Sequence, residues 1–107
     1  MKRGDICFVN LSQDKDKVVV RPVVIIQNDT SNETSQTTIV AAITSCQEIS
    51  DKVAHVNIDG ECLGRPSIIL LNQVKSISRN RVMEVVGSVS ERELRMIDRA
   101  LAVSMGM

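Results

Sequence analysis

Two runs constrain this chain more than anything else in it: Arg21 to Asp29, RPVVIIQND, and Thr37 to Ser45, TTIVAAITS. Each is aliphatic and largely β-branched through its middle and polar at its ends, which is the pattern of a strand buried on both faces. Paired antiparallel across the intervening polar segment, they bring Arg21 and Pro22 to the same end of a sheet as Thr44 and Ser45. A guanidinium beside two hydroxyls is a group set suited to binding phosphate.

The remaining segments read as short strands and one clear helix. Ile6 to Leu11 follows a turn at Gly4 and Asp5. Ser12 to Lys17, SQDKDK, is polar throughout and reads as a mobile loop. Val18 to Ile26 reads as a strand in which Pro22, lacking an N–H, belongs at a bulge or on an unpaired side. Asp29 to Gln36 reads as a second polar loop. Val53 to Ile58 alternates apolar and polar residues as a half-exposed strand does, with Asp59-Gly60 as the turn after it. Ile68 to Leu71 is another buried run, and Lys75 to Ser78 extends the sheet. A short helix is expected at Arg79 to Glu84 and a last strand at Val85 to Val89. Ser90 and Glu93 form a capping box, and Leu94, Ile97, Leu101 and Met105 line one face of the helix behind it. Glu91 and Arg95 stand four apart for a surface pair, and Gly106 ends the helix. Many short strands followed by a terminal helix make a small α+β barrel.

Composition narrows the function classes. A chain of 107 residues closes one modest core. The start, MKRGDICFVN, is neither a signal peptide nor a membrane span, which points to the cytoplasm and to no membrane partner. Three cysteines, Cys7, Cys46 and Cys62, lack metal-ligand spacing and fit free thiols in a reducing compartment. No cofactor or metal is expected. Thirteen basic and 13 acidic residues cancel, so a nucleic-acid site must be local. One Phe and no Tyr or Trp leave hydrogen bonds and Arg planes to do any base reading.

KRGDI at Lys2 to Ile6, RPVVIIQND, IVAAITS, HVNID at His55 to Asp59 and SIILLNQVKSI at Ser67 to Ile77 occur in an order and spacing that resemble the MazF/PemK toxins. These are the ribonuclease halves of bacterial toxin–antitoxin pairs. The resemblance covers nearly all of the chain and implies an SH3-like antiparallel β-barrel with a C-terminal helix. It also implies a homodimer that cleaves single-stranded RNA without a metal and is silenced by a cognate antitoxin. Alone, Arg21 reads as a solvated cation at a strand start, and Thr44 and Ser45 as strand-end hydroxyls bonded to their own backbone. The resemblance assigns Arg21 and Thr44 to catalysis and places Ser45, Gln73 and His55 on the RNA. RNA carries its own nucleophile, the 2′-hydroxyl, so the protein has to move protons and stabilise charge on phosphate oxygens.

The chain departs from the family at Leu11 to Val20. Family members carry a longer loop with a G-S-E-Q phrase before the RP pair, whereas this sequence has SQDKDKVVV. Asp14 or Asp16 is the candidate replacement for the missing carboxylate as general base. Asn72 stands where the family has an acidic residue, and so does Pro66. Two other functions stay open at this point: a member that binds RNA or antitoxin without cutting, and a protein-binding gyrase poison like CcdB on the same fold.

Overall fold

The computed structural model describes residues 1–107. Six strands form one antiparallel sheet: β1 (Asp5–Asn10), β2 (Val20–Ile25), β3 (Thr37–Ser45), β4 (His55–Ile58), β5 (Ser67–Ser78) and β6 (Val82–Ser88). Their spatial order is β4-β5-β3-β2-β1-β6. Two α-helices, α1 (Asp29–Thr34) and α2 (Glu91–Ser104), and 3-10 turns at Glu61–Leu63 and Arg79–Arg81 complete the chain.

Burial on both faces explains the two long apolar runs. Val24 and Ile26 join Ala41 and Ile43 in one core, while Val23 and Ile25 join Val40 in another. The strands alternate between the cores with a period of two, so every position in their middles must be apolar. The first core is roofed by Ile97 and Ala100 of α2. The second lies inside the coiled sheet, among Cys7, Val9 and Ile77. Burial, reinforced by Asp5, pushes the Cys7 thiol up to about 11, so it stays neutral and packs as a small hydrophobe.

The structure corrects several expectations. The barrel is not closed, because β4 and β6 end the sheet without pairing to each other. Between them the Glu61–Leu63 turn approaches so closely that a Cβ at Gly87 would lie 2.9 Å from Cβ and Sγ of Cys62. The polar segment after Asn28 contains α1, whose first turn is capped by the Asn28 side chain accepting from the Ser31 N–H at 2.8 Å. Only a single 3-10 turn forms at Arg79–Arg81, and β6 begins at Val82. The strand expected from Val18 begins at Val20, and the one expected from Val53 begins at His55. The capping box at Ser90 and Glu93 forms as read. The Glu91–Arg95 pair does not. The single ion pair instead joins Arg3 to Asp98 at 2.7 Å, and Arg3 also donates through Nε to the Ile26 carbonyl at 2.8 Å. That arginine fastens the N-terminus to the end of β2 and to α2. No helix is long and apolar enough to cross a membrane.

Ile97 is fully buried under the sheet. Ile97→Ala should therefore cost about 2–5 kcal/mol, seen as an unfolding transition lowered by on the order of 10 °C in a thermal melt.

Candidate functional site

The β2–β3 ladder pairs Val23 with Ala42, and its register continued two residues sets Arg21 opposite Thr44. On its other side Pro22 stays in regular register with Phe8 of β1, so the sheet has no bulge there. The ladder to β3 simply begins after the proline, the unpaired side that its missing N–H requires. A groove opens where those backbone bonds are absent.

Two concavities meet at this point. One, of about 400 Å³, runs from Arg21 and Thr44 to Ser45 and Arg65. The other, of about 570 Å³, runs from the same two residues to Gln73 and Lys75. The Arg21 guanidinium is exposed and donates only to the Val20 carbonyl, at 2.9 Å, with no carboxylate partner. Thr44 is also exposed, and its Oγ1 donates only a long 3.4 Å bond to the Ser45 carbonyl. Both are free to take a ligand. No carboxylate lines either concavity.

The local sequence explains how Gln73 and Arg65 reach the groove. Ala41 pairs with Val74 but Ala42 pairs with Leu70, so Leu71, Asn72 and Gln73 have no partner on β3. This irregularity buries Leu71 and turns Gln73 outward into the groove. Arg65 follows a tight turn at Gly60, whose φ is +64° and where an added Cβ would lie 1.9 Å from the Arg65 carbonyl oxygen, so that only glycine fits. Arg65 and Ser67 escaped the sequence reading. The one available signal is that Arg65-Pro66 repeats the Arg21-Pro22 dipeptide.

Three other candidates lie off the groove. His55 pairs with Leu70 and so faces the groove side of the sheet, one strand further out. Its Nδ1 shares a 2.8 Å hydrogen bond with Ser50 Oγ. Asp14 and Asp16 sit in an exposed turn between β1 and β2, where Asp14 Oδ1 accepts from the Asp16 N–H at 3.0 Å. The loop is tied at its base rather than loose. Asn10 Oδ1 accepts from the N–H groups of both Ser12 and Val19, at 3.0 and 3.1 Å. Arg81 donates through one nitrogen to the Asn10 and Ser12 carbonyls, at 3.0 and 2.7 Å.

The family model described as PemK-like, MazF-like toxin of type II toxin–antitoxin systems matches residues 2–105. The chain belongs to that toxin family. It is 38% identical over 111 residues, spanning 100% of this chain and 92% of the relative, to the protein named Endoribonuclease MazF of Staphylococcus saprophyticus. Its fold matches, at a TM-score of 0.82 and 15% identity, an endoribonuclease solved with its cognate antitoxin from a mycobacterial species, covering 100% of this chain and 96% of that one. It matches Mycobacterium tuberculosis toxin MazF-mt6 at a TM-score of 0.81 and 19% identity, covering 96% and 97%. A MazE-MazF structure from Deinococcus radiodurans matches at 0.81 and 16%, covering 100% and 97%.

Proposed function

We propose that this toxin is an endoribonuclease that cuts single-stranded RNA at the Arg21–Thr44 junction. The observation that carries the reading is the Arg21 guanidinium, without an ion-pair partner, lining together with Thr44 both halves of a groove free of carboxylates. The RNA's 2′-oxygen attacks the adjacent phosphorus, the bond to the 5′-oxygen breaks, and a 2′,3′-cyclic phosphate and a 5′-hydroxyl result. The proton lost by the 2′-hydroxyl and the one gained by the leaving oxygen pass through water in the open groove. Arg21 offers planar N–H donors to the phosphate oxygens as their charge grows, and Thr44 adds a hydroxyl donor. Ser45 and Gln73, one on each side, hold the flanking nucleotides, with Gln73 offering an amide to a base edge. His55 touches substrate only where the chain runs beyond the groove toward β4.

The coiled sheet is an SH3-like barrel left open where the Glu61–Leu63 turn stands between β4 and β6. A homodimer is supported by β6, an edge strand with Met83 and Val85 exposed, and by the exposed Val103 and Met105 at the end of α2. A cognate antitoxin, the partner named for the mycobacterial relative, silences the enzyme by occupying the groove. Family membership and the Arg21–Thr44 pair favour this over a gyrase poison. One observation favours a binder that does not cut: no carboxylate lines the groove to act as base.

Arg21→Ala should slow cleavage by two or more orders of magnitude, since one such donor is worth about 3 kcal/mol, while circular dichroism stays that of the wild type. Arg21→Lys should rescue little, because an ammonium lacks the planar fork. An unchanged rate in folded Arg21→Ala would remove the centre of the reading.

Asp14 and Asp16 stand outside both concavities. The variant carrying Asp14→Asn and Asp16→Asn should thus cut within a few fold of wild type. Its loss of cleavage with RNA binding intact would return one of the two to the role of base.

No group of three or more His, Cys, Asp and Glu side chains is placed to hold a metal. The proposed attack proceeds without one, so cleavage should persist in EDTA and leave the cyclic phosphate. Activity that vanished in EDTA and returned with Mg²⁺ would require another mechanism. A wild type that bound RNA but cut none of a broad sequence panel would favour the non-cutting reading.

A further inference from the structure

Five of the 13 cations of this neutral protein fall along one line of hollows. The concavity that ends at Gln73 and Lys75 shares Leu11 and Lys75 with another, of about 250 Å³, that continues to Arg81. That one in turn shares Ser78 with a fully polar concavity of about 660 Å³ centred on Arg79. From Arg65 through Arg21, Lys75 and Arg81 to Arg79, four adjoining hollows carry a cation each or more and not one carboxylate. None of these cations is in an ion pair. The acidic counterpart lies elsewhere: Asp59, Glu61 and Glu93 line a separate hollow between β4 and β6 that has no basic residue. A net charge of zero thus conceals a positive track along β5 and a negative patch away from it.

We propose that the RNA path extends past the Arg21–Thr44 junction along β5, so that Lys75, Arg81 and Arg79 hold phosphates of nucleotides remote from the cut. The proposal rests on the RNA-cleaving reading above and adds a distal anchor to it. Length supports it. The twelve residues of β5 run roughly 30–40 Å at a strand's rise, comparable with the molecule's longest extent of 37 Å. Grooves for single strands commonly hold about 4–16 nucleotides by phosphate contacts along such a path. Chemistry supports it as well. The far hollow is lined by Thr34, Ser35, Gln36, Ser78, Arg79 and Asn80, all donors and none apolar, which suits a sugar-phosphate backbone and not an apolar peptide face. The Arg79 guanidinium makes only one long bond to the protein, 3.3 Å to the Ser35 carbonyl. Arg81 has a second duty, since its bonds to Asn10 and Ser12 hold the loop that forms one wall of the track.

The test uses fluorescence anisotropy with mixed-sequence RNA pools of about 5 and 20 nucleotides, 2′-O-methylated so that nothing is cut. Wild type should bind the long pool at least tenfold more tightly than the short one. Arg79→Gln should lose about threefold or more of the long-pool affinity, leave the short pool unaffected, and lower the salt slope for the long pool by about 0.7. Arg99→Gln removes an equal charge from the exposed face of α2, outside the track, and should change neither. Equal long-pool affinity and salt slope in Arg79→Gln, Arg99→Gln and wild type would overturn the distal anchor. So would a wild type indifferent to length. Cleavage of unmodified RNA by the same proteins separates the two ideas: cutting without length dependence leaves the catalytic reading standing, whereas neither binding nor cutting removes both.

Discussion

The register between β2 and β3 is the constraint on which the rest depends. Val23, Val24 and Ile25 pair with Ala42, Ala41 and Val40, and all of these except the half-buried Ala42 are buried in one core or the other. A slip of one residue would exchange the two faces of the strand and break both cores together, so the register is held by packing on both sides. The same register sets Arg21 opposite Thr44 at the point where the cores end. The geometry of the Arg21–Thr44 junction is thus fixed by apolar residues, of which Val23, Val40 and Ala42 also line the groove.

Beyond that point the chain changes character. Pro22 removes a backbone donor, Leu71 to Gln73 leave the β3 ladder, and Gly60 turns the chain so tightly that no side chain fits. Each is a local departure from regular sheet, and each presents a polar side chain to the groove. Regular pairing builds the body, and its interruptions build the site.

This division explains what could be read from the sequence. Strands buried on both faces announce themselves by uninterrupted apolar runs, and the Ser90–Glu93 box announces α2, because both signals lie within a few adjacent residues. Arg21, Thr44 and Ser45 were legible because the two runs that carry them had to pair. Helix α1 was missed because DTSNET is short and poor in helix formers. It is held by the Asn28 cap and by buried Asn32, whose Oδ1 accepts from Thr38 Oγ1 at 2.8 Å and whose Nδ2 donates to the Gln27 carbonyl at 2.9 Å. The open edge between β4 and β6, the contribution of Arg65 and the line of carboxylate-free hollows depend on contacts between distant segments. Composition hides the last of these, since opposite charges cancel in a sum but not in space.

On the proposed reading the phosphate to be cut rests between Arg21 and Thr44. A crystal structure with a single-stranded RNA blocked by a 2′-O-methyl group at the cleaved nucleotide would test it most directly. A phosphate should lie within hydrogen-bond distance of both the Arg21 guanidinium and Thr44 Oγ1, with the strand continuing past Gln73. An RNA bound with its backbone away from Arg21, against β4 or the acidic hollow near Glu93, would contradict it.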